Sequence, residues 1–315
     1  MLRTHRFPSS WTPGRPPSFR ARASTMKLSA DQVSRYREQG YLLLQNVIPE
    51  STLIRLRQAI GRYMEKSRSA TCSNREFDLD AGHTAKWPRL RRLKDPHLRD
   101  PVFRELAASD VIVEPAAQLL NGTVRFDHSK LNFKHPDASA EIHWHQDWAF
   151  YPHTNDDILA VGVMIEDCTP ESGPLRVIPG SHLGPLYNHH YRGLFAGAVA
   201  DDQLADLIPG AVDLTGPAGS ISIHHVRTLH ASANCTSDTT RPLLLLSYAA
   251  VDAFPVFDTY DLAEFDSRIL RGEPVRSGRM EAIPVRLPLP RQAGADSIYD
   301  NQAVAGADTD GFPGW

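Results

Sequence analysis

Apolar residues recur at helical spacing mainly near the start of the chain. Ser29 can cap a helix that carries Val33, Tyr36 and Arg37 and stops at Gly40. The apolar run at 41–44 suits a short buried strand. After Pro49, residues Leu53, Leu56, Ile60 and Met64 fall on one helical face, predicting a helix that covers a sheet. Residues 66–100 are charged and irregular, which predicts loops and short helices. A further helix is expected over 101–108, with Pro101 tolerated in its first turn.

From Val111 the texture changes. Apolar runs at 124–126, 131–133, 159–165, 175–178, 220–223 and 243–248 are separated by Gly, Pro, Asp, Asn and Ser, and they predict strands. A long insertion at 183–209 holds His189 and His190, expected on an exposed loop that could cover a site. No GxGxxG opens a strand–helix unit, so nothing local supports a dinucleotide fold. The Gly- and Asp-rich stretch 291–315 reads as a weakly ordered acidic tail.

Composition narrows the class. The 315 residues, 41% hydrophobic and 23% charged, suffice for one large domain, here expected over 28–290. Thirty-four basic and 37 acidic residues leave a charge of −3, which gives no basic field for nucleic acid. No apolar run reaches 18 residues, so no membrane span is expected. Cys72, Cys168 and Cys235 lie far apart and fit a reducing compartment, so a cytoplasmic location is expected. The first 27 residues carry Arg3, Arg6, Arg15, Arg20, Arg22 and Lys27, and prolines 8, 13, 16 and 17 interrupt any helix. They read as a disordered extension, with organellar targeting as the second reading. The pattern leaves the oligomeric state open.

The fourteen histidines are the unusual feature. In Glu141-Ile142-His143-Trp144-His145-Gln146-Asp147-Trp148, an extended strand would point His145 and Asp147 to one side. An imidazole and a carboxylate so placed can take adjacent positions on one metal. A distant third ligand would complete the facial triad of non-haem Fe(II) oxygenases. A regular strand would point His143 the same way, so two candidates stand there. The third ligand must come from His224, His225 or His230. Arg241, eleven positions after His230, offers a planar guanidinium that can clamp a carboxylate. Arg89, Arg91 and Arg92 form a basic cluster that fits a solvated face, or an anion. Trp148 and Tyr151 are candidates for a substrate wall.

These residues resemble the phytanoyl-CoA dioxygenase family of Fe(II)- and 2-oxoglutarate-dependent oxygenases. The likeness runs from about Leu28 to Leu287 and includes Gly40-Tyr41, His145-Gln146-Asp147, Glu171 through Leu175, Ile178 through His182, and His225 through Arg241. It implies a mainly β fold with flanking helices, the double-stranded β-helix or distorted jelly roll. It also implies Fe(II) held by His145, Asp147 and His230, with 2-oxoglutarate and O2 as cosubstrates. By the same resemblance Arg241 takes the distal carboxylate of 2-oxoglutarate. Gln146, Ser232 and Lys94 fall where further cosubstrate contacts occur. The activity so implied couples oxidation of 2-oxoglutarate to succinate and CO2 with hydroxylation of a substrate carbon. The aromatic residues after Asp147 suggest an aliphatic C–H in a small, mainly apolar metabolite or lipid. A non-enzymatic jelly-roll protein with a vestigial site is the competing expectation.

Overall fold

A computed structural model describes residues 26–136, 141–257 and 261–290, with residues 298, 299, 301 and 302. The expectations for residues 1–25, and for most of 291–315, lie outside the described residues.

The N-terminal signals operate as read. Ser29 accepts from Gln32 N, and the Gln32 side chain returns to Ser29 N, so both ends of the capping box are made. Helix α1 (Ala30–Gln39) ends at Gly40, whose φ of +77° suits glycine. A Cβ at Gly40 would also stand 2.5 Å from His182 Nδ1 and 2.7 Å from Thr228 Oγ1. Strand β1 (Tyr41–Leu44) and helix α2 (Glu50–Ser67) follow, and α2 buries Leu53 and Leu56.

Two regions depart from expectation. The charged stretch 66–100 contains strands β2 (Phe77–Leu79) and β3 (Leu90–Lys94) as well as the short helix α3 (Pro96–Arg99). Strand β3 forms because a distant segment pairs with it, and no local pattern announces that. Beyond helix α4 (Pro101–Ala107), the sequence 110–119 is helical rather than extended. Helix α5 (Asp110–Leu119) buries Ile112, Val113, Ala116 and Ala117 at helical spacing.

The remaining elements are mostly strands: β4 (Val124–Lys134), β5 (Ile142–His145), β6 (Ile158–Met164), β7 (Leu175–Val177), β8 (His190–Tyr191), β9 (Leu194–Phe195), β10 (Val212–Leu214), β11 (Ile221–His225), β12 (His230–Ser232) and β13 (Arg241–Ala249). Helix α6 (Leu262–Ser267) and strand β14 (Ile269–Arg271) follow. The apolar runs at 124–126 and 131–133 are thus one strand. The larger sheet runs β1-β11-β6-β13-β4-β3-β2, with β14 also pairing β4, and the smaller runs β10-β7-β12-β5. All these pairings are antiparallel. Together the sheets make a double-stranded β-helix whose interior is a cavity, while the helices close the outer face of the larger sheet.

Two register shifts decide what faces that cavity. Opposite β13, Leu246 pairs with Ser129 but Tyr248 pairs with Phe126, so β4 carries an extra residue at Asp127 and His128. This bulge turns both of those side chains toward the interior. In the smaller sheet, His230 pairs with His145 and Ser232 with Ile142, so β5 also carries an extra residue. Ile142 and His145 both reach the cavity, and His143 does not.

Candidate metal centre and its cavity

Strand pairing assembles the centre. His145 and His230 are direct partners across β5 and β12, with ring centroids 4.0 Å apart. Asp147 lies in the 3-10 turn Asp147–Ala149 that ends the strand, and not on a continuing strand as expected. One donor atom from each of His145, Asp147 and His230 lies within 4.8 Å of the others, and all three residues are buried. His230 Nε2 is 4.0 Å from Asp147 Oδ1.

The bulge resolves the choice between the two nearby histidines. The carbonyl of His143 accepts from His145 Nδ1 at 2.8 Å, so His143 orients the ligand candidate through its main chain. The Thr228 carbonyl does the same for His230 Nδ1, at 2.9 Å. Each ring is thereby fixed in the tautomer that leaves Nε2 free to ligate.

Electrostatics fit a cation. Burial, reinforced by His230, holds His145 well below the usual imidazole range. Burial and the neighbouring His224 bring His230 down to about 4. Burial would raise the Asp147 carboxyl, but contacts with His224, His230 and Lys130 outweigh it and keep it well below its ordinary value. Two neutral imidazoles beside one carboxylate form a donor set suited to a divalent first-row metal. His224 stands 3.5 Å from Asp147 Oδ2, and its ring is 4.5 Å from that of His230. Of the three distal candidates, His230 joins the donor cluster and His224 flanks it. His225 lies beside Asp156, with Nε2 4.0 Å from its carboxylate, and does not line the cavity.

The centre opens into a cavity of about 540 Å³ between the two sheets. At one end Arg241 and Lys134 are direct cross-strand partners on β13 and β4, so their side chains share a face. Arg241 donates to the carbonyls of Ser172 and Gly173, and Lys134 donates to those of Ser232 and Ala233. Burial, with Arg241 alongside, pushes the Lys134 ammonium down to about 7. Ser232 lines the same end, and its buried Oγ has no hydrogen-bond partner among the described residues. Such an atom is ready for a ligand acceptor. Gly173 makes the tight packing feasible, since its φ is +70° and a Cβ would stand 2.6 Å from Ala233 O.

Other expected residues lie elsewhere. Gln146 is fully buried off the cavity; its amide donates to Pro185 and Arg227 carbonyls and accepts from Tyr187 N. Lys94 does not line the cavity, because its ammonium pairs with Asp78 at 2.8 Å. Trp148 packs in the core with Nε1 donating to Pro284 O, whereas Tyr151 does line the cavity. Arg92 is buried rather than solvated, donating to Asn132 at 3.1 Å at the cavity edge. His189 and His190 are buried too, and His189 accepts from Gln146 N at 2.8 Å. The insertion thus braces the loop after β5 and does not line the cavity. Within the stretch 291–315, expected as a weakly ordered tail, Tyr299 and Asn301 instead line the cavity, and Gln302 bonds His143 N and Gly197 O.

Sequence reasoning overlooked Lys130, Asn132 and Lys134. Their alternation with Leu131 and Phe133 was the available signal, a half-polar strand of period two.

Comparison with known proteins gives the family. The model of the family Phytanoyl-CoA dioxygenase (PhyH) matches residues 36–243. A probable alpha-ketoglutarate-dependent hypophosphite dioxygenase of Stutzerimonas stutzeri is 34% identical over 87% of this chain and 96% of its own. The L-proline trans-4-hydroxylase of Streptomyces griseoviridis is 31% identical over 71% of this chain and 88% of its own. The crystal structure of EctD from S. alaskensis with 2-oxoglutarate and 5-hydroxyectoine superposes with a TM-score of 0.60 at 25% identity, covering 81% of this chain and 87% of that one. With its triad of possible ligands and these relatives, the chain is an Fe(II)- and 2-oxoglutarate-dependent dioxygenase and belongs to the phytanoyl-CoA dioxygenase family.

Proposed function

We propose that His145, Asp147 and His230 hold Fe(II), that Arg241, Lys134 and Ser232 hold the distal carboxylate of 2-oxoglutarate, and that the enzyme hydroxylates a small molecule seated in the rest of the cavity. The observation that carries this reading is the buried donor cluster sharing one cavity with two adjacent cations. When bound, iron with 2-oxoglutarate and O2 supplies the oxidising chemistry, yielding succinate, CO2 and a hydroxylated product.

The protein's own contribution is positional. The carbonyls of His143 and Thr228 set the imidazole planes. Main-chain carbonyls hold Arg241 and Lys134 before any ligand arrives, so little ordering is needed at binding. Burial and the Asp147 carboxylate keep the Tyr151 phenol well above its ordinary value, leaving it a neutral donor beside the metal ligand. Phe150, Pro255, Phe257 and Leu289 supply apolar wall and help exclude water.

The charged side chains lining the cavity, among them Arg92, Lys130, Lys134 and Arg241, favour a polar substrate over a lipid chain. The relatives' names point the same way, since hypophosphite, L-proline and ectoine are all small and polar. The substrate supported best is therefore a small polar molecule with an apolar flank, in place of the mainly apolar metabolite expected from the aromatic run.

The test is CO2 release from C1-labelled 2-oxoglutarate with Fe(II), ascorbate and a panel of small polar metabolites. Succinate should form in step with a product heavier by one oxygen. Absence of both an anaerobic Fe(II)–2-oxoglutarate complex and any turnover would overturn the proposal.

A further inference from the structure

Strand β4 sends Lys130 as well as Lys134 into the cavity, but the two ammonium groups differ in what holds them. Lys134 is tied to two carbonyls, while Lys130 makes no ion pair or hydrogen bond among the described residues. Its ammonium sits 5.7 Å from the centroid of the Tyr151 ring. The acids nearby are already committed. Asp127 Oδ2 pairs with His128 Nδ1 at 2.8 Å, and Asp147 belongs to the metal cluster. Lys94, the cross-strand neighbour of Lys130, takes Asp78.

Resting on the iron and 2-oxoglutarate reading, charge can be counted for the loaded site. A divalent metal is balanced by Asp147 and the near carboxylate of the cosubstrate. The distal carboxylate answers Arg241 and its cross-strand neighbour Lys134. Arg92 shares Asp78 with Lys94, at 3.9 Å and 2.8 Å. Lys130 is then a partly buried cation with no ion-pair partner of its own among the described residues, and a charge so placed is costly unless the ligand pairs with it.

We propose that Lys130 is the substrate's anchor and that the substrate carries a small oxyanion, a carboxylate or a phosphorus oxyanion, seated between Lys130 and Tyr151. His128 and Ser247, whose Nε2 and Oγ lie 3.4 Å apart, line the same part of the cavity and offer further polar contacts. The bulge in β4 supplies His128 at this spot, and a regular strand would have turned one of Asp127 and His128 away. Burial lowers the Lys130 ammonium, and an arriving anion would restore its charge.

The experiment uses the full chain saturated anaerobically with Fe(II) and 2-oxoglutarate, with calorimetry as the readout. Probes are paired by shape: propionate with propionamide, and methylphosphonate with dimethyl methylphosphonate. In the wild type at least one anion should bind about tenfold or more tightly than its neutral partner, as expected for hydrogen bonds to a charged group. The pair that shows the preference tells carboxylate from phosphorus oxyanion. Lys130→Met should abolish the preference while the iron–cosubstrate charge-transfer band persists, and Lys130→Arg should retain it. No anion preference in the wild type, or an undiminished one in Lys130→Met, overturns the anchor and leaves the iron reading intact. Failure of the charge-transfer band to form in the wild type removes the underlying reading, and the anchor with it.

Discussion

The two faces of the larger sheet are built from the same strands yet obey different rules. On the outer face Leu244, Leu246 and Tyr248 of β13 are fully buried, with Phe126, Leu131 and Phe133 of β4 and the helices packed over them. On the inner face the same two strands present Arg241 and Ser247, and Lys130, Asn132 and Lys134. Two polar groups on the outer face are matched: Tyr248 donates to Ala107 O at 2.8 Å, and His97 meets Ser129 at 2.7 Å. The cavity that this inner face lines instead keeps both His224 ring nitrogens, and Ser232 Oγ of the smaller sheet, buried without a hydrogen-bond partner among the described residues. A core closes its polar accounts within the protein, whereas a binding cavity leaves some open for a ligand.

Substitutions on the two faces should therefore separate stability from chemistry. Asp147→Ala, on the cavity side, should leave no measurable turnover while the metal-free protein keeps its fold by circular dichroism. Retained coupled turnover would remove Asp147 from the ligand set. Leu246→Ala, on the packed side, should cost about 2–5 kcal/mol in urea unfolding. Its folded fraction should keep wild-type affinity for 2-oxoglutarate, and a large affinity change there would mean that the faces are not independent.

Arg241→Lys should weaken 2-oxoglutarate binding by about 10–100-fold, because lysine keeps the charge and loses the two-pronged geometry. Anaerobic titration of the Fe(II) form measures this, and iron affinity should change far less. The outer face makes a contrasting prediction about acid. Burial brings His97 down to about 3, below the 6.5 of the unfolded chain. Between those values the unfolded state binds more protons, so its contribution is complete above pH 6.5 and falls away as pH drops toward 3. At pH 5 the loss from His97 alone is about 2 kcal/mol, and His97→Gln should flatten the slope of stability against pH over that range. The smallest effect expected is that of His224→Ala, about tenfold in metal affinity through looser positioning of Asp147. Recovery in His224→Asn, a smaller polar side chain, would show that a polar neighbour beside Asp147 matters more than the space the ring fills.

The parts legible in the sequence are those fixed by neighbours along the chain. The Ser29 cap, the Gly40 stop and the α2 stripe depend on contacts three or four positions apart, and each was readable. The iron chemistry was readable too, because His145 and Asp147 fall within one short segment and His230 and Arg241 within another. What could not be read was the direction in which each strand residue points after a bulge. Regular alternation predicted that His143 would share the side of His145; the extra residue in β5, created by pairing with β12, turned it away.

The partners of the cavity's cations were equally invisible. Gly173 and Ala233, whose carbonyls hold Arg241 and Lys134, lie 68 and 99 positions away from them. Lys94 and Lys134 look alike in the sequence, yet one faces Asp78 and the other stands beside Arg241. Gln146 looks like a site residue by adjacency, but three main-chain groups of distant segments claim its amide. Residue types and local spacing determined which chemistry this protein has and where its first helices begin and end. Which side chains meet around that chemistry was decided by sheet register, because one extra residue in a strand reverses every side chain beyond it.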